Sequence, residues 1–328
     1  KIAGALYGMA LGDAMGMPAE LWGRKRVKAF FGRIEGFLDG PAENDVAFNY
    51  KKGQFTDDTG QALVLLDSIE STDYEPDTRD IALRMLAWAE KENAFENNIL
   101  GPTSKVALAN FRDNIQDSRI TDKALSNGSA MRIAPIGCLF RPEQKEDIAR
   151  YVYLVSRATH TSDVTIAGAA MIAEAVSSAI VKDDFEKVME DVFGIEEIGY
   201  GMGCETFSPR LGERLRIGLD IAGSYKGDDE GFIHKLYDVV GTGVGIIESV
   251  PAALSVAYYA QDPNLSCLLC ANMAGDTDTI GAMATAVCGA FTGMGRIKPE
   301  YIRTLRQQND ADFDHYIRIL EKGRERFA

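Results

Sequence analysis

Histidine is nearly missing from this chain, at three residues in 328, and there are only five cysteines and two tryptophans. So few imidazoles and thiols argue against a zinc centre of the usual His/Cys kind. Of Cys138, Cys204, Cys267, Cys270 and Cys288, only Cys267 and Cys270 have CxxC spacing, inside the apolar run "LSCLLCANMA". With no second pair nearby, a buried helical pair is expected there, not a redox or metal site. An odd cysteine count and no secretory-type leader point to a reducing cytoplasm.

Basic side chains are also short. Thirty-five Lys and Arg face 49 Asp and Glu, a formal charge of −14, and no basic run stands out. Binding to nucleic acid depends on such runs, so none is expected. A phosphate-bearing partner would have to be held by cations or backbone amides. Long apolar runs are missing too: residues 165–181 and 279–295 are rich in Ala and Gly but too short or interrupted by Glu174, so no membrane span is expected. Strict alternation is scarce and no fixed-period repeat appears, which leaves neither a sheet protein nor a solenoid.

What is present is helical spacing almost everywhere. Apolar residues recur three and four apart in "TRDIALRMLAWAEKE", "TIAGAAMIAEAVSSAIV" and "GTGVGIIESVPAALSVAYYA", and turn-forming residues collect in connections such as "GPAENDVAFNYKKGQF" and "ENNILGPTSK". An all-α fold is expected, with residues 1–328 forming one compact, many-helix orthogonal bundle. In the first helix Gly4, Gly8, Gly12 and Gly16 make one stripe. Each costs about 1 kcal/mol relative to alanine in a helix interior, so another backbone should pack closely against that stripe. The stripe ends in "GDAMGMPAE", which places the carboxylates of Asp13 and Glu20 near the end of a deeply packed helix.

Two further acidic clusters echo each other. "FTDDTGQALVLLDSI" crowds Asp57 against Asp58 between Thr56 and Thr59, and "AGDTDTIGAMATAVCGAF" sets Asp276 and Asp278 beside Thr277 and Thr279; each opens an apolar helix. Adjacent residues inside a helix point about 100° apart, so such oxygens converge only at a helix mouth. Taken singly, each cluster reads as a cap, with Thr56 or Asp57 at one N-terminus and Thr277 or Asp276 at the other. Capping needs one oxygen, and here there are many. Four aspartates with Glu20 carry five negative charges, which two divalent cations would reduce to one. An oxygen-only donor set suits Mg²⁺, Mn²⁺ or Ca²⁺.

The blocks "GALYGMALGDAMGMPAE", "TDDT", "SNGSAMRIAPIG", "ATH", "GTGVGIIESVPAAL" and "AGDTDTIGA", in this order across nearly the whole chain, resemble the ADP-ribosylglycohydrolase family. That resemblance implies a central cleft holding two divalent cations, Mg²⁺ or Mn²⁺, and hydrolysis of the bond joining ADP-ribose to a protein side chain or small molecule. By position it makes Thr56, Asp57, Asp58, Asp276, Asp278 and Thr279 the metal ligands. Glu20 and Asp58 are the candidate catalytic carboxylates, and Asn127, Gly128, Ser129, Met131, Arg132 and His160 line the ADP-ribose cleft. Read from the residues alone, "SNGSAMR" is a small-residue loop whose amides suit a phosphate or an ordinary cap, and His160 is a capping or surface histidine. His234 and His315 read as structural. Ala274 stands where many family members have glycine, which reads as a minor change. The expected partner is an ADP-ribosylated protein or a small ADP-ribose conjugate, without nucleic acid or membrane, acted on by a monomer. Two other classes remain: a metal-dependent nucleoside or phosphate hydrolase, and a non-catalytic, crystallin-like or ligand-binding relative.

Overall fold

The computed structural model of the protein describes residues 1–97 and 99–328. Among these residues the chain forms seventeen α-helices and two short 3-10 turns. Extended backbone pairs only at three isolated bridges, Trp22 with Gly275, Ser126 with Gly245 and Ser162 with Cys204. The fold is all-α, as the missing alternation requires. The "ENNILGPTSK" connection includes residue 98, which lies outside the described residues.

The first helix, Ile2–Gly16, is buried from Gly4 to Gly16, and Asp13 is its one charged residue. A helix that is apolar all round belongs in an interior. Its glycine stripe lies against the Thr277–Thr292 helix, which runs in the opposite direction. A Cβ at Gly4 would overlap the carbonyl of Gly289, one at Gly8 that of Thr285, one at Gly12 that of Gly281, and one at Gly16 that of Thr277. Each step of four along one helix is answered by a step of four back along the other. Gly281 and Gly289 return the contact, since side chains there would strike the backbone at Gly12 and Gly4. Bare Cα–H groups facing carbonyls at this range gain dispersion and weak C–H···O attraction. These gains offset the cost of six glycines in helix interiors.

Around this pair the remaining helices complete one continuous apolar cluster that reaches from Ala5 to Leu320. The 19-residue Asp163–Val181 helix is long and apolar enough for a membrane span, but 89% of its most apolar window is buried inside the protein. Glu174, which interrupts that stretch, is matched by Lys145 at 2.8 Å, and Lys145 also reaches Asp191 at 3.0 Å. Cys267 and Cys270 are buried free thiols on the Pro263–Met273 helix, as expected from their apolar surroundings. His234 and His315 lie on the outer helices Asp229–Val239 and Phe313–Phe327, beside Glu230 and Glu70.

The packing predicts an asymmetry among glycines. Gly12→Ala should destabilise the protein by about 1–3 kcal/mol, the usual cost of overpacking, despite alanine's better helix propensity. Gly36→Ala, where an added Cβ meets nothing within 4 Å, should change little. Urea midpoints of the two variants test this, and equal midpoints would contradict the close backbone contact.

Candidate active site

The antiparallel pair carries the C-terminal end of the first helix to the N-terminal mouth of the Thr277–Thr292 helix. The Thr277 hydroxyl donates to the Gly16 carbonyl at 2.8 Å and fixes that junction. Beyond it the Glu20 segment is tied to the segment before Asp276: Leu21 N–H donates to the Gly275 carbonyl at 2.7 Å, and Gly275 N–H donates to the Trp22 carbonyl at 3.0 Å. Buried Asn44 also holds this segment, since its amide donates to the Glu20 carbonyl at 3.0 Å.

The third partner is the Asp57–Ser71 helix. Thr56 occupies its N-cap position, but no side-chain hydrogen bond from Thr56 caps it. The cap comes from the first helix. Asp13 accepts the Thr56 N–H at 2.8 Å, the Thr59 N–H at 3.0 Å and the Thr59 hydroxyl at 2.6 Å. Orphan amides that a local Ser, Thr or Asp ordinarily satisfies are thus satisfied from another helix, and Thr56, Asp57 and Asp58 are left to point elsewhere. The second mouth repeats the pattern: Asp276 holds the N-cap position without a side-chain cap, and its backbone N–H donates to the Thr242 carbonyl at 2.7 Å. Neither cluster is the ordinary cap that it resembles in isolation.

The freed side chains converge. Asp13, Asp58 and Asp278 each bring one carboxylate oxygen within 4.8 Å of the others, and so do Glu20, Asp276 and Asp278. Asp278 belongs to both triads. The Thr56 hydroxyl lies 3.5 Å from Asp278, and the Thr279 hydroxyl 3.3 Å from Asp58. Asp57 stands beside the triads without joining them, half-buried, with one oxygen accepting from the Gln61 amide at 2.9 Å. Burial pushes the carboxyls of Asp13 and Asp276 up to about 6 and Asp57 up to about 7. Glu20, Asp58 and Asp278 are raised further, first by burial and then by the neighbouring carboxylates. Two oxygens, Asp58 Oδ2 and Asp278 Oδ1, are buried with no hydrogen-bond donor among the described residues. Unpartnered buried oxygens on carboxylates that cluster in this way fit a hard divalent cation.

The predicted cleft residues fall into two groups. Asn127 joins the acidic centre directly, since its amide donates to Asp276 Oδ2 at 2.5 Å. Its own N–H donates to the Val244 carbonyl at 3.1 Å, which seats the loop against the "GTGVG" segment. Neither the Gly128 nor the Ser129 N–H has a protein acceptor among the described residues, whereas the Ser129 hydroxyl is turned away to the Thr165 carbonyl at 3.0 Å. Met131 is buried. Arg132 is buried as well, with its guanidinium donating to Gln61 Oε1 and Thr159 Oγ1, each at 2.6 Å. Burial lowers it to about 10, so it remains charged at neutral pH.

His160 has no exposed surface and sits 3.0 Å from the Ser126 hydroxyl. It is therefore not the surface histidine that its sequence context suggests. Burial pushes it down to about 3, so the ring is neutral. A cavity of about 520 Å³ opens beside the first mouth, with Tyr50, Thr56, Gly60, Trp88 and Tyr316 in its wall. Burial and the nearby carboxylates raise the Tyr50 phenol.

Asp13, Gln61, Asn44 and Tyr50 were not singled out as site residues from the sequence. Asp13 did carry a signal, as the lone charge in a helix of small and apolar residues. Ala274 is also more than a minor change. Its φ is +74° with ψ of 168°, a region open almost only to glycine.

The ADP-ribosylglycohydrolase family matches residues 1–326. An uncharacterized protein of Escherichia coli, YegU, is 44% identical over 326 residues, covering 99% of this chain and 97% of that protein. ADP-ribosylhydrolase ARH3 of Mus musculus is 23% identical, covering 95% of this chain and 89% of its own length. ADP-ribosylarginine hydrolase Tri1 of Pseudomonas putida is 26% identical, covering 92% of this chain and 73% of its own length. A solved structure titled ADP-ribosylglycohydrolase-related protein complex has the same fold, with a TM-score of 0.72 at 22% identity, covering 98% and 97% of the two chains.

Two predictions come from this geometry. Carboxyls held above their unfolded pKa favour folding below about pH 4, and that contribution is lost as pH rises through about 6 to 7. A cation competes with those protons, so the rise in Tm that Mn²⁺ gives over chelator should grow from about pH 5 to about pH 8; a gain that is absent or flat across this range would count against a shared cation. Ala274→Gly should stabilise the protein by about 1 kcal/mol through relief of backbone strain, read as a higher urea midpoint.

Proposed function

The chain belongs to the ADP-ribosylglycohydrolase family, and from that premise we propose that it hydrolyses the glycosidic bond between ADP-ribose and a modified protein side chain or a small molecule, with two divalent cations, Mg²⁺ or Mn²⁺. The single observation that carries the proposal is the pair of carboxylate triads that share Asp278. Thr56, Asp57, Asp58, Asp276, Asp278 and Thr279 would hold the cations, and Asp13 shares the first triad while it caps the Asp57–Ser71 helix. When bound, such ions supply charge for sugar hydroxyls and acidify a water.

The protein's own part in the chemistry follows from placement. Glycoside hydrolysis develops positive charge at the anomeric carbon, and a ring of carboxylates around that point stabilises it. Glu20 is half-buried beside the cluster, on a loop fixed by Asn44 and by the Trp22–Gly275 bridge. It is the first choice to accept a proton from the attacking water, and Asp58 is the second. A base needs both reach and a raised pKa, and Glu20 has a raised pKa while keeping access to solvent. The free amides of Gly128 and Ser129 face the problem that the chain's acidity poses: they can hold a phosphate without a basic side chain. The work is done by a monomer in the cytoplasm.

The test is release of ADP-ribose from ADP-ribosylated arginine, serine and small-molecule substrates, with Mg²⁺, with Mn²⁺ and with excess chelator. Activity should require a cation. Asp58→Asn and Asp278→Asn should each lower turnover by at least ~100-fold, as changes to residues that only orient a metal ligand already cost about 10–100-fold, with helical circular dichroism unchanged. Full activity in chelator, or release of phosphate or free base in place of ADP-ribose, would overturn the proposal.

A further inference from the structure

Arg132 presents an energetic puzzle. Its side chain is sealed at 1% exposure, and its two hydrogen bonds go to the neutral oxygens of Gln61 and Thr159, not to a carboxylate. Burying a guanidinium among neutral partners is costly, so its charge and forked shape must serve a purpose at that depth. The anion that favours its charged form is Asp57, which Gln61 links to it.

The chemistry of the Gln61 amide supplies the purpose. An amide has an accepting end and a donating end of nearly equal size, and its environment decides which way it faces. Arginine only donates. Arg132 Nη1 at 2.6 Å therefore holds the Gln61 oxygen toward itself, and this turns the NH₂ group onto Asp57 Oδ2 at 2.9 Å. Without Arg132 the amide is free to flip and present its oxygen to a carboxylate.

Arg132 is anchored in turn. Its Nη2 donates to Thr159 Oγ1, and the Thr159 hydroxyl is assigned to His160 Nδ1 at 2.9 Å, its closer acceptor, in place of the Ser156 carbonyl at 3.5 Å. The ring then carries its proton on Nε2 and donates to Ser126 Oγ at 3.0 Å, while the Ser126 hydroxyl donates to Thr103 Oγ1 at 3.0 Å. Every hydrogen bond from Arg132 outward runs in one direction, an order that the neutral state of His160 permits. The chain ends beneath the loop that holds Asn127 against Asp276. Only a glycine fits at 128, where a Cβ would lie 2.8 Å from His160 Cε1.

We infer that Gln61 and Arg132 are positioning residues: with Thr159, His160 and Ser126 they form a directed hydrogen-bond chain that aims Asp57 into the metal centre and ties it to the loop that holds Asp276. The inference rests on the cation-binding reading given above, and its test separates the two. Mn²⁺ alone is titrated calorimetrically into the whole wild-type chain, Gln61→Met, Arg132→Lys, Asp57→Asn and the double variant Asp57→Asn/Gln61→Met. A Tm measured in chelator for each confirms that the fold persists.

Methionine keeps the volume of Gln61 but cannot donate, and lysine keeps the charge of Arg132 but cannot reach both partners with a fork. Each should weaken the Kd for Mn²⁺ by about 10-fold, the lower end for residues that orient a metal ligand. Adding Gln61→Met to Asp57→Asn should weaken it no further, because the amide then has no carboxylate to aim. If Arg132→Lys fails to fold, Gln61→Met decides. Wild-type binding with Gln61→Met within twofold of it overturns this inference alone, and so does a full tenfold loss that persists in the Asp57→Asn background. A wild-type chain that binds no Mn²⁺ overturns the metal centre and this inference together.

Discussion

The acidic centre depends on the contact between two backbones. The glycine stripe of the Ile2–Gly16 helix and the carbonyls of the Thr277–Thr292 helix meet without side chains between them, in antiparallel register from Gly4 to Gly16. That register fixes which ends are neighbours. The end of the first helix, with Asp13 and the 3-10 turn Met17–Ala19 that leads to Glu20, falls at the mouth that carries Asp276 and Asp278. A slip of one residue would bring Cβ-bearing positions against those carbonyls, and a slip of one whole turn, which the stripe itself would accept, would separate the triads. Small residues therefore act here as a coordinate system, and the carboxylates are placed by the absence of other side chains.

The second constraint is electrostatic. Six carboxyls within one buried region repel one another and lose hydration, and every one of them is raised in consequence. The fold answers part of this with hydrogen-bond donors. Asp13 takes two amides and a hydroxyl, Asp276 takes the Asn127 amide, and Asp57 takes the Gln61 amide. Asp58 Oδ2 and Asp278 Oδ1 take nothing from the protein. Donors thus reach at least one oxygen of Asp13, Asp57, Asp58, Asp276 and Asp278 and are withheld from two particular oxygens, one on Asp58 and one on Asp278. Such a distribution suits a site whose missing positive charge is brought from outside.

Much of this could be read from the sequence, for reasons of range. Helical spacing is local, so the all-α fold was legible. The TDDT and GDTDT clusters repeat one local design, so their pairing was legible as well, although only the structure shows their side chains released from capping. That release was hidden because the cap is Asp13, whose bonds to Thr56 and Thr59 span 43 and 46 residues. Gln61 looked like one more helical residue four positions after Asp57, and the interior placement of His160 had no periodic pattern to announce it. Ala274 shows the opposite limit: the residue type was noted, but its backbone conformation is set by the bridge between Trp22 and Gly275 and by the contact with Thr242.

The same backbone contact has a consequence for how the protein comes into being. Thr277 and Gly16 are joined across 261 residues of chain, so the carboxylates contributed by the first helix cannot form the full centre until the Thr277–Thr292 helix has been synthesised. Contacts of such long range are entropically late. A nascent chain emerging from the ribosome carries Asp13, Glu20, Asp57 and Asp58 through the synthesis of all the intervening helices without the Thr277–Thr292 helix. They become one site only when the Thr277–Thr292 helix docks against the first helix.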